Sequence, residues 1–533
     1  MQIPWAYLKR FVAGAIFGLY MAHLLYFLNP QVEITVWKLA TVTAIYGLTC
    51  GLLFGTILWG FRILRVRLLG RPETPKTHGF GFVALAAFVS SFIYWMHLGL
   101  LRNYLPIGAV RILSKSTNVI TATAFVLLAL WVFGRNSDRR TSRATFVVGV
   151  ILIVISSVFL YQRRDSYRTE RKEVVVATIG AVAERAPVIL VAIRNLPYDW
   201  IVQMRGEGLV PFLEQKTEQA FFTRLDPFRT TSPKTLWASL ATGKLPHRHR
   251  VTGRFSYRTP LNRTDPFLLL PYGVGFSAWG LIPPVERISA PVPSGEALPI
   301  WSLFERLQLQ SDLIVWPGVE TAPYRGAALL NAARRFDAAG QARPAILESL
   351  ERDLGALDAV RGEAALTVVA LEGFETAQRA LHIYLNELPE RGSANGDAMR
   401  AYVLELDAAL AALQQKHPQH AIVICSPSAV VPPPLPANIW ALATNALRRS
   451  DPGADDGFVL VTGPNAAHRE NPPAAGVVDV VPTVLFAAGL PIGRDMDGRI
   501  LTDAFSDEML RRSTVTAIQT YEAERVVVRR PAG

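Results

Sequence analysis

Apolar positions along the chain fall into two regimes. Over the first 161 residues they form long runs: Phe11–Leu28, Leu39–Phe61, Gly79–Leu101, Val119–Gly134 and Thr145–Tyr161. Each run is at or just below the roughly 17–25 residues that a helix needs to cross hydrocarbon. Five in succession are not a signal peptide, so residues 1–161 are expected to form a transmembrane domain of five helices. From about Arg171 short apolar runs alternate with amphipathic stretches. Val188–Ile193, Leu313–Val315, Thr367–Leu371, Ala421–Cys425 and Phe458–Val461 read as strands, and Pro233–Thr242, Asp397–Lys416 and Val480–Ala488 as helices. In the long helix Met399, Val403, Leu406, Leu410 and Leu413 share one face. Strands alternating with helices predict an α/β sandwich with a mainly parallel sheet. Residues 162–186 read as a basic juxtamembrane linker, 187–505 as the distal domain and 506–533 as a C-terminal tail. The Pro-rich stretch Pro283–Pro299 reads as an extended linker or loop, and no internal repeat is found.

A formal net charge of +12 raises nucleic acid as a partner, but its location argues otherwise. Up to Tyr161 there are 15 Lys/Arg against 3 Asp/Glu, and the remainder carries 40 of each sign. The basicity flanks membrane spans, as the positive-inside rule predicts, and no basic stripe is left for DNA or RNA. With a cytoplasmic N-terminus the inside flanks hold Lys9, Arg10, Arg62, Arg65, Arg67, Arg71, Lys76, Arg135, Arg139, Arg140 and Arg143. The outside loops then hold Arg102, Arg111 and Lys115, and five spans place the distal domain outside. YQRRDSYRTERKE after the fifth span opposes this, though a large translocated domain overrides local charge. Cys50 and Cys425 imply no disulfide framework.

Within the spans the ionisable groups are few: Lys38 at an edge, His23, and His97 near an end. That scarcity argues against a transporter or channel component. Gly47, Gly51 and Gly55 recur every fourth residue and allow close helix contact, either within the bundle or at a dimer seam.

The segments VAIRNLPYDW, TTSPKTLWASLATGKLPHRHRV, GFVLVTGPNA and DVVPTVLFAAGLPIGRDMDGRIL, with LPIWSLFERLQLQSDLIVWPG between them, carry a resemblance. From about Pro187 to Phe505 the chain resembles the type I phosphodiesterase/nucleotide pyrophosphatase branch of the alkaline phosphatase superfamily. The apolar runs and the resemblance together predict an N-terminal five-helix transmembrane bundle followed by an α/β alkaline-phosphatase-like domain with a mainly parallel central sheet. The layout is similar to phosphoethanolamine transferases and lipoteichoic acid synthases. That implies a bacterial-type inner membrane, with the C-terminal domain on the outer, periplasmic face.

Members of the family hold two metal ions on Asp and His ligands and use a Thr or Ser nucleophile. Where the resemblance expects a metal-binding Asp followed by Gly, this chain has Arg194 and Asn195. Arginine stays protonated and offers no lone pair to a cation. The nucleophile position falls on Pro233, or on Ser232 if one residue is inserted. Ser232 and its neighbour Thr231 are the candidates if the site is active, and Ser232 also reads as a helix N-cap. The Asp-x-x-x-His motif becomes ETAQR, with Glu375 in the Asp place and Arg379 in the His place. His382 is either a substitute ligand or a packed or surface histidine. The Asp-His-Gly motif is absent between Cys425 and Ala429. His468 follows the strand that a family histidine precedes, and Asp455 and Asp456 read as a solvated turn. CSPSA lacks the arginine of the sulfatase Cys-x-Pro-x-Arg motif.

Of six ligand positions only Glu375 keeps ligand character, and two have become cationic. The degenerate pocket of Arg194, Asn195, Ser232, Glu375 and Arg379 is therefore expected to hold no metal and no cofactor. It is either closed by salt bridges between Glu375 and the arginines or it takes an anionic ligand through fork-like contacts. The leading reading is a membrane-anchored pseudoenzyme acting as scaffold, regulator or binding partner. Its expected partners are the lipid bilayer and other membrane or periplasmic proteins. The alternative is a divergent phosphodiesterase or phosphotransferase using arginines as charge stabilisers.

Overall fold

The computed structural model describes residues 5–70, 78–135, 139–167, 176–179, 186–228, 233–253, 255–271, 285–289, 297–319, 344–381, 383, 391–427 and 456–528. The chain divides into two compact units. One comprises Met1–Arg171 with Thr252–Ala290, the other Lys172–Val251 with Pro291–Gly533. The stretch read from sequence as one continuous distal domain is thus interrupted by about forty residues that belong to the first unit.

The first unit holds α1 (Trp5–Leu28), α2 (Val36–Leu69), α3 (His78–Leu100), α4 (Ile107–Arg135) and α5 (Arg139–Asp165). All five are long and apolar enough to cross a membrane. α1 and α2 run antiparallel in close contact, because a Cβ at Gly14 would collide with the carbonyl of Cys50 and one at Gly18 with that of Tyr46. Gly51 takes the Phe11 ring and Gly55 the Phe11 backbone. The glycine repeat of α2 therefore receives α1 within the bundle.

The carboxyl end of α1 leaves carbonyls without helical donors, and Arg164 near the end of α5 supplies them. Its Nε donates to the Tyr26 carbonyl at 2.8 Å and its Nη2 to those of Asn29, Pro30 and Val32 at 2.9–3.1 Å. Asn29 binds the inserted segment: its Nδ2 donates to the Leu269 carbonyl at 2.7 Å. Its Oδ1 accepts the Leu268 and Leu269 N–H groups at 2.7 and 3.0 Å. Phe267 and Leu269 are buried in the same apolar cluster as α1. Within the insert, β4 (Phe255–Arg258) and β5 (Glu286–Ser289) pair antiparallel, so part of the stretch expected as a linker is a hairpin strand. β1 (Val176–Ile179), in the stretch read as a juxtamembrane linker, belongs to the second unit.

The second unit is built on a seven-stranded sheet. Its strands are β2 (Val188–Ile193), β3 (Phe221–Asp226), β6 (Ser311–Val315), β7 (Leu366–Leu371), β8 (Ala421–Ser426), β9 (Gly457–Thr462) and β10 (Ala475–Gly476). Their spatial order is β10-β3-β9-β8-β2-β7-β6. β9 runs antiparallel to both neighbours and every other pairing is parallel. β2 is buried at all six positions. Val188, Leu190 and Ala192 face one core, and Ile189, Val191 and Ile193 the other, which is why the strand reads as an unbroken apolar run. β3, whose FFTRLD mixes apolar and polar positions, and the two-residue β10 are the strands of this sheet that periodicity did not single out.

One face is covered by α8 (Pro233–Thr242), α10 (Ile300–Arg306) and α14 (Val480–Ala487). The other is covered by α6 (Tyr198–Met204), α7 (Pro211–Gln219), α11 (Pro344–Asp358), α12 (Gly373–Ala380) and α13 (Ala394–Lys416). α9 (Pro246–His249) follows α8, and α15 (Asp507–Arg512) lies near the carboxyl terminus.

Two stretches that carry the family resemblance, ATGK and RDMDGR, bind each other. Gly243, at φ +66°, takes the Asp497 N–H on its carbonyl, and Asp497 accepts the Leu245 N–H at 2.8 Å. The buried Lys244 Nζ meets Asp495 at 2.5 Å and Glu522 at 2.7 Å. Glu522 lies in the stretch read as a tail, yet Tyr521 is 1% exposed and bonds the Pro491 carbonyl. Beyond it, β13 (Arg525–Val528) pairs with β1, and β12 (Ala517–Ile518) pairs with β11 (Ile492–Gly493). Residues 506–528 are thus an integral part of the second unit.

Substituting Gly18→Val places a branched side chain against the Tyr46 backbone and forces α1 from α2. A loss of about 1–3 kcal/mol is expected from such overpacking, read as a lower melting temperature of the detergent-solubilised protein. Gly60→Val, whose Cβ would meet no neighbour, should leave it nearly unchanged.

Candidate functional site

Parallel pairing of β2 with β7 aligns their carboxyl ends, and in such sheets that edge is where ligands bind. Arg194 follows β2 directly, with its N–H on the Leu371 carbonyl at 2.9 Å. Asn195 comes next at φ +64°, nearly buried. This left-handed conformation suits the glycine that the resemblance expects, and asparagine is among the residues that best tolerate it.

The Arg194 guanidinium splits between two carboxylates. Nη1 meets Glu372 Oε1 at 2.5 Å, and Nε contacts Glu375 Oε2. Arg379, one turn along α12, closes on the other Glu375 oxygen, with Nε at 2.9 Å and Nη2 at 2.5 Å. Glu375 is 5% exposed and receives two guanidinium groups. Glu372, which sequence reasoning missed, follows β7 directly and lies beside Arg194. The signal was available, since two parallel strands that end together bring the residues after them into contact.

Asp353 on α11 holds this helix start in place. It accepts the Gly373 and Phe374 N–H groups at 2.8 and 3.0 Å and the Tyr402 hydroxyl at 2.8 Å. Burial pushes its carboxyl up to about 7, against the pull of those three donors. Nothing in the local sequence of α12 announces a cap supplied from another helix.

Farther along the same edge, Arg224 meets Asp199 at 2.7 Å and Asp456 at 3.9 Å, and lies over the Tyr198 ring. Asp456 is therefore part of an ion cluster. His468 lies at the other end of the sheet, its Nδ1 3.3 Å from the carbonyl of Ala220, which precedes β3. Cys425 is fully buried in the core, and burial pushes its thiol up to about 12. Thr231, Ser232, His382, Asp455, Ser428 and Ala429 lie outside the described residues.

A hydroxyl–imidazole pair does occur, between Ser239 on α8 and His249, with Oγ 2.8 Å from Nε2. His249 Nδ1 accepts the Val251 N–H at 3.1 Å, so the ring proton sits on Nε2 and is donated to Ser239. An imidazole held in that tautomer cannot take the serine proton. Burial, followed by His247, holds His249 down to about 3. The pair is a structural bond.

Divalent metals do not fit this donor set. Where the resemblance expects an Asp stands the Arg194 guanidinium, and the Glu375 carboxylate is engaged by two cations. Among the described residues no three His, Cys, Asp or Glu side chains gather to hold an ion. A metal ion brought beside Arg194 and Arg379 would meet like-charge repulsion in a partly desolvated site.

Glu375→Ala removes the partner of two guanidinium groups at a buried position and should cost about 3 kcal/mol. Arg379→Ala, at a half-exposed position, should cost less than about 1 kcal/mol. Chemical denaturation of the two variants reads the difference. His249 titrates at about 3 when folded against 6.5 ordinarily, so the unfolded chain binds more protons across that window and stability falls as pH drops below about 6.5. The loss approaches about 1.4 kcal/mol per pH unit for this group. A melting series from pH 7 to pH 5 should fall more steeply for the wild type than for His249→Gln.

No family profile matches the sequence, and no curated protein matches it. Solved structures do. A putative sulfatase from Bacteroides thetaiotaomicron is similar at 11% identity over 60% of this chain and 74% of its own, with a TM-score of 0.37. Murine ectonucleotide pyrophosphatase/phosphodiesterase 5 is similar at 11% identity over 60% of this chain and 100% of its own, with a TM-score of 0.36. A phosphonate monoester hydrolase from Silicibacter pomeroyi is similar at 12% over 60% and 76%, with a TM-score of 0.33. Likenesses of this size assign no activity to the chain.

Proposed function

We propose that this chain is a membrane-anchored, catalytically inactive phosphodiesterase-like protein of the alkaline phosphatase superfamily, acting as a scaffold, regulator or binding partner. The reading also places its α/β domain on the periplasmic face of a bacterial-type inner membrane. One observation carries it: Arg194 and Arg379 stand where the resemblance expects metal ligands, and Glu372 and Glu375 together balance their charge. A site of this kind lacks the paired cations that stabilise the attacking and leaving oxygens in two-metal phosphoryl transfer.

The arginine–carboxylate cluster serves as an internal lock. Each charge has an opposite partner within the domain, which leaves the edge of the sheet close to neutral. The family-like motifs persist on this reading because they have a packing role, as in the Lys244 junction with Asp495 and Glu522.

Elemental analysis of the purified full chain tests the proposal. The expected result is no stoichiometric zinc, manganese or calcium; one or two tightly held equivalents would overturn it. The same preparation should not cleave a nitrophenyl phosphodiester. Cleavage that disappears in Ser232→Ala would establish the divergent hydrolase in its place.

A further inference from the structure

α2 is longer than a bilayer is thick. Its 34 residues span about 51 Å at 1.5 Å per residue, against roughly 30 Å of hydrocarbon. The excess lies at one end. Gly55 packs on the Phe11 backbone, and the Trp59 and Tyr7 rings meet edge-to-face at 6.2 Å. By Trp59, α2 has therefore reached the level of the first described turn of α1. The following segment, residues 60–69, continues about 15 Å farther.

That segment reads GFRILRVRLL and contains three arginines and no acid. Phe61 is 64% exposed, Leu64 51% and Leu68 72%. At 100° per residue these three form one stripe, with Arg65 on one flank and Arg67 on the other, both exposed. In water the stripe would be an unfavourable exposed apolar surface. At a membrane surface the same arrangement is complementary: guanidinium groups fork onto phosphate oxygens while apolar side chains lie against the upper acyl chains. Three side chains offer far less than the roughly 800 Å² per partner that a stable protein interface buries, which disfavours a second copy of the chain.

We propose that residues 60–69 of α2 form a seat for anionic phospholipid headgroups in the leaflet on the side of the α1 amino terminus. Arg65 and Arg67 contact the phosphates, and Phe61, Leu64 and Leu68 rest in the interfacial layer. The seat is independent of what the α/β domain does, so the lipid test and the metal analysis can fail separately.

The test uses the full chain in nanodiscs of phosphatidylcholine containing a minor fraction of phosphatidylglycerol, with spin-labelled forms of each lipid as probes. The expected preference for phosphatidylglycerol is on the order of tenfold at low salt, weakening as salt is added. It should be lost in Arg65→Gln/Arg67→Gln and kept in Arg65→Lys/Arg67→Lys, which preserves charge. No preference in the wild type, or the same preference in the glutamine variant, would overturn the proposal. A glutamine variant that changes the mass of the assembly while leaving lipid preference intact would assign the segment to a second copy, and would overturn it equally.

Discussion

A guanidinium group placed at the closed end of a buried parallel strand has to be met by carboxylates. β2 is buried at all six positions, and a slip in register would drag Arg194 into the core and repack both faces, so Arg194 is fixed at its end. The pairing of β2 with β7 then fixes Glu372 beside it, and the first turn of α12 brings Glu375 underneath. Arg379 completes the set at i+4 on that helix. The charged edge follows from the sheet: the strands set the positions, and the charges have to balance where solvent is scarce.

The same demand for partners appears in the membrane unit with different chemistry. Arg164 is buried and, among the described residues, is satisfied by backbone carbonyls at the end of α1. Asn29 uses both ends of its amide to hold the segment around Leu268 and Leu269. A stretch far along the chain thereby supplies the cover for a helix end near the amino terminus. Residues 252–290, which interrupt the distal domain, thus pack with the first unit and share hydrogen bonds with Asn29.

Motif retention and loss also have a physical division. Gly243 needs its left-handed conformation, Gly498 faces the Val478 carbonyl where a Cβ cannot fit, and Lys244 neutralises Asp495 and Glu522. These residues are required by packing whatever happens at the sheet edge. A metal ligand has no such second role. At the β2 end Asn195 adopts the left-handed conformation that suits the glycine the resemblance expects, and Arg194 precedes it.

Five membrane helices, the α/β alternation and most strands of the sheet were legible in sequence, because burial on both sides or in lipid writes continuous apolar runs. The placement of Arg194 at the end of a buried strand, and of Arg379 one turn beyond Glu375, was legible too, since the apolar run VILVAI and the spacing of ETAQR set both. What the sequence left undecided depended on partners distant along the chain. β3 mixes buried and exposed positions, so its pattern is diluted. Residues 506–528 look like a tail until β13 is paired with β1 and Lys244 is seen to need Glu522. Asp353 caps a helix it does not belong to, and the carbonyls at the end of α1 that Arg164 satisfies lie 132–138 residues earlier in the chain. Periodicity records how a segment meets solvent, lipid or core. The choice of partner for each buried charge is made only when the elements pack, because it depends on which groups the packing leaves within reach.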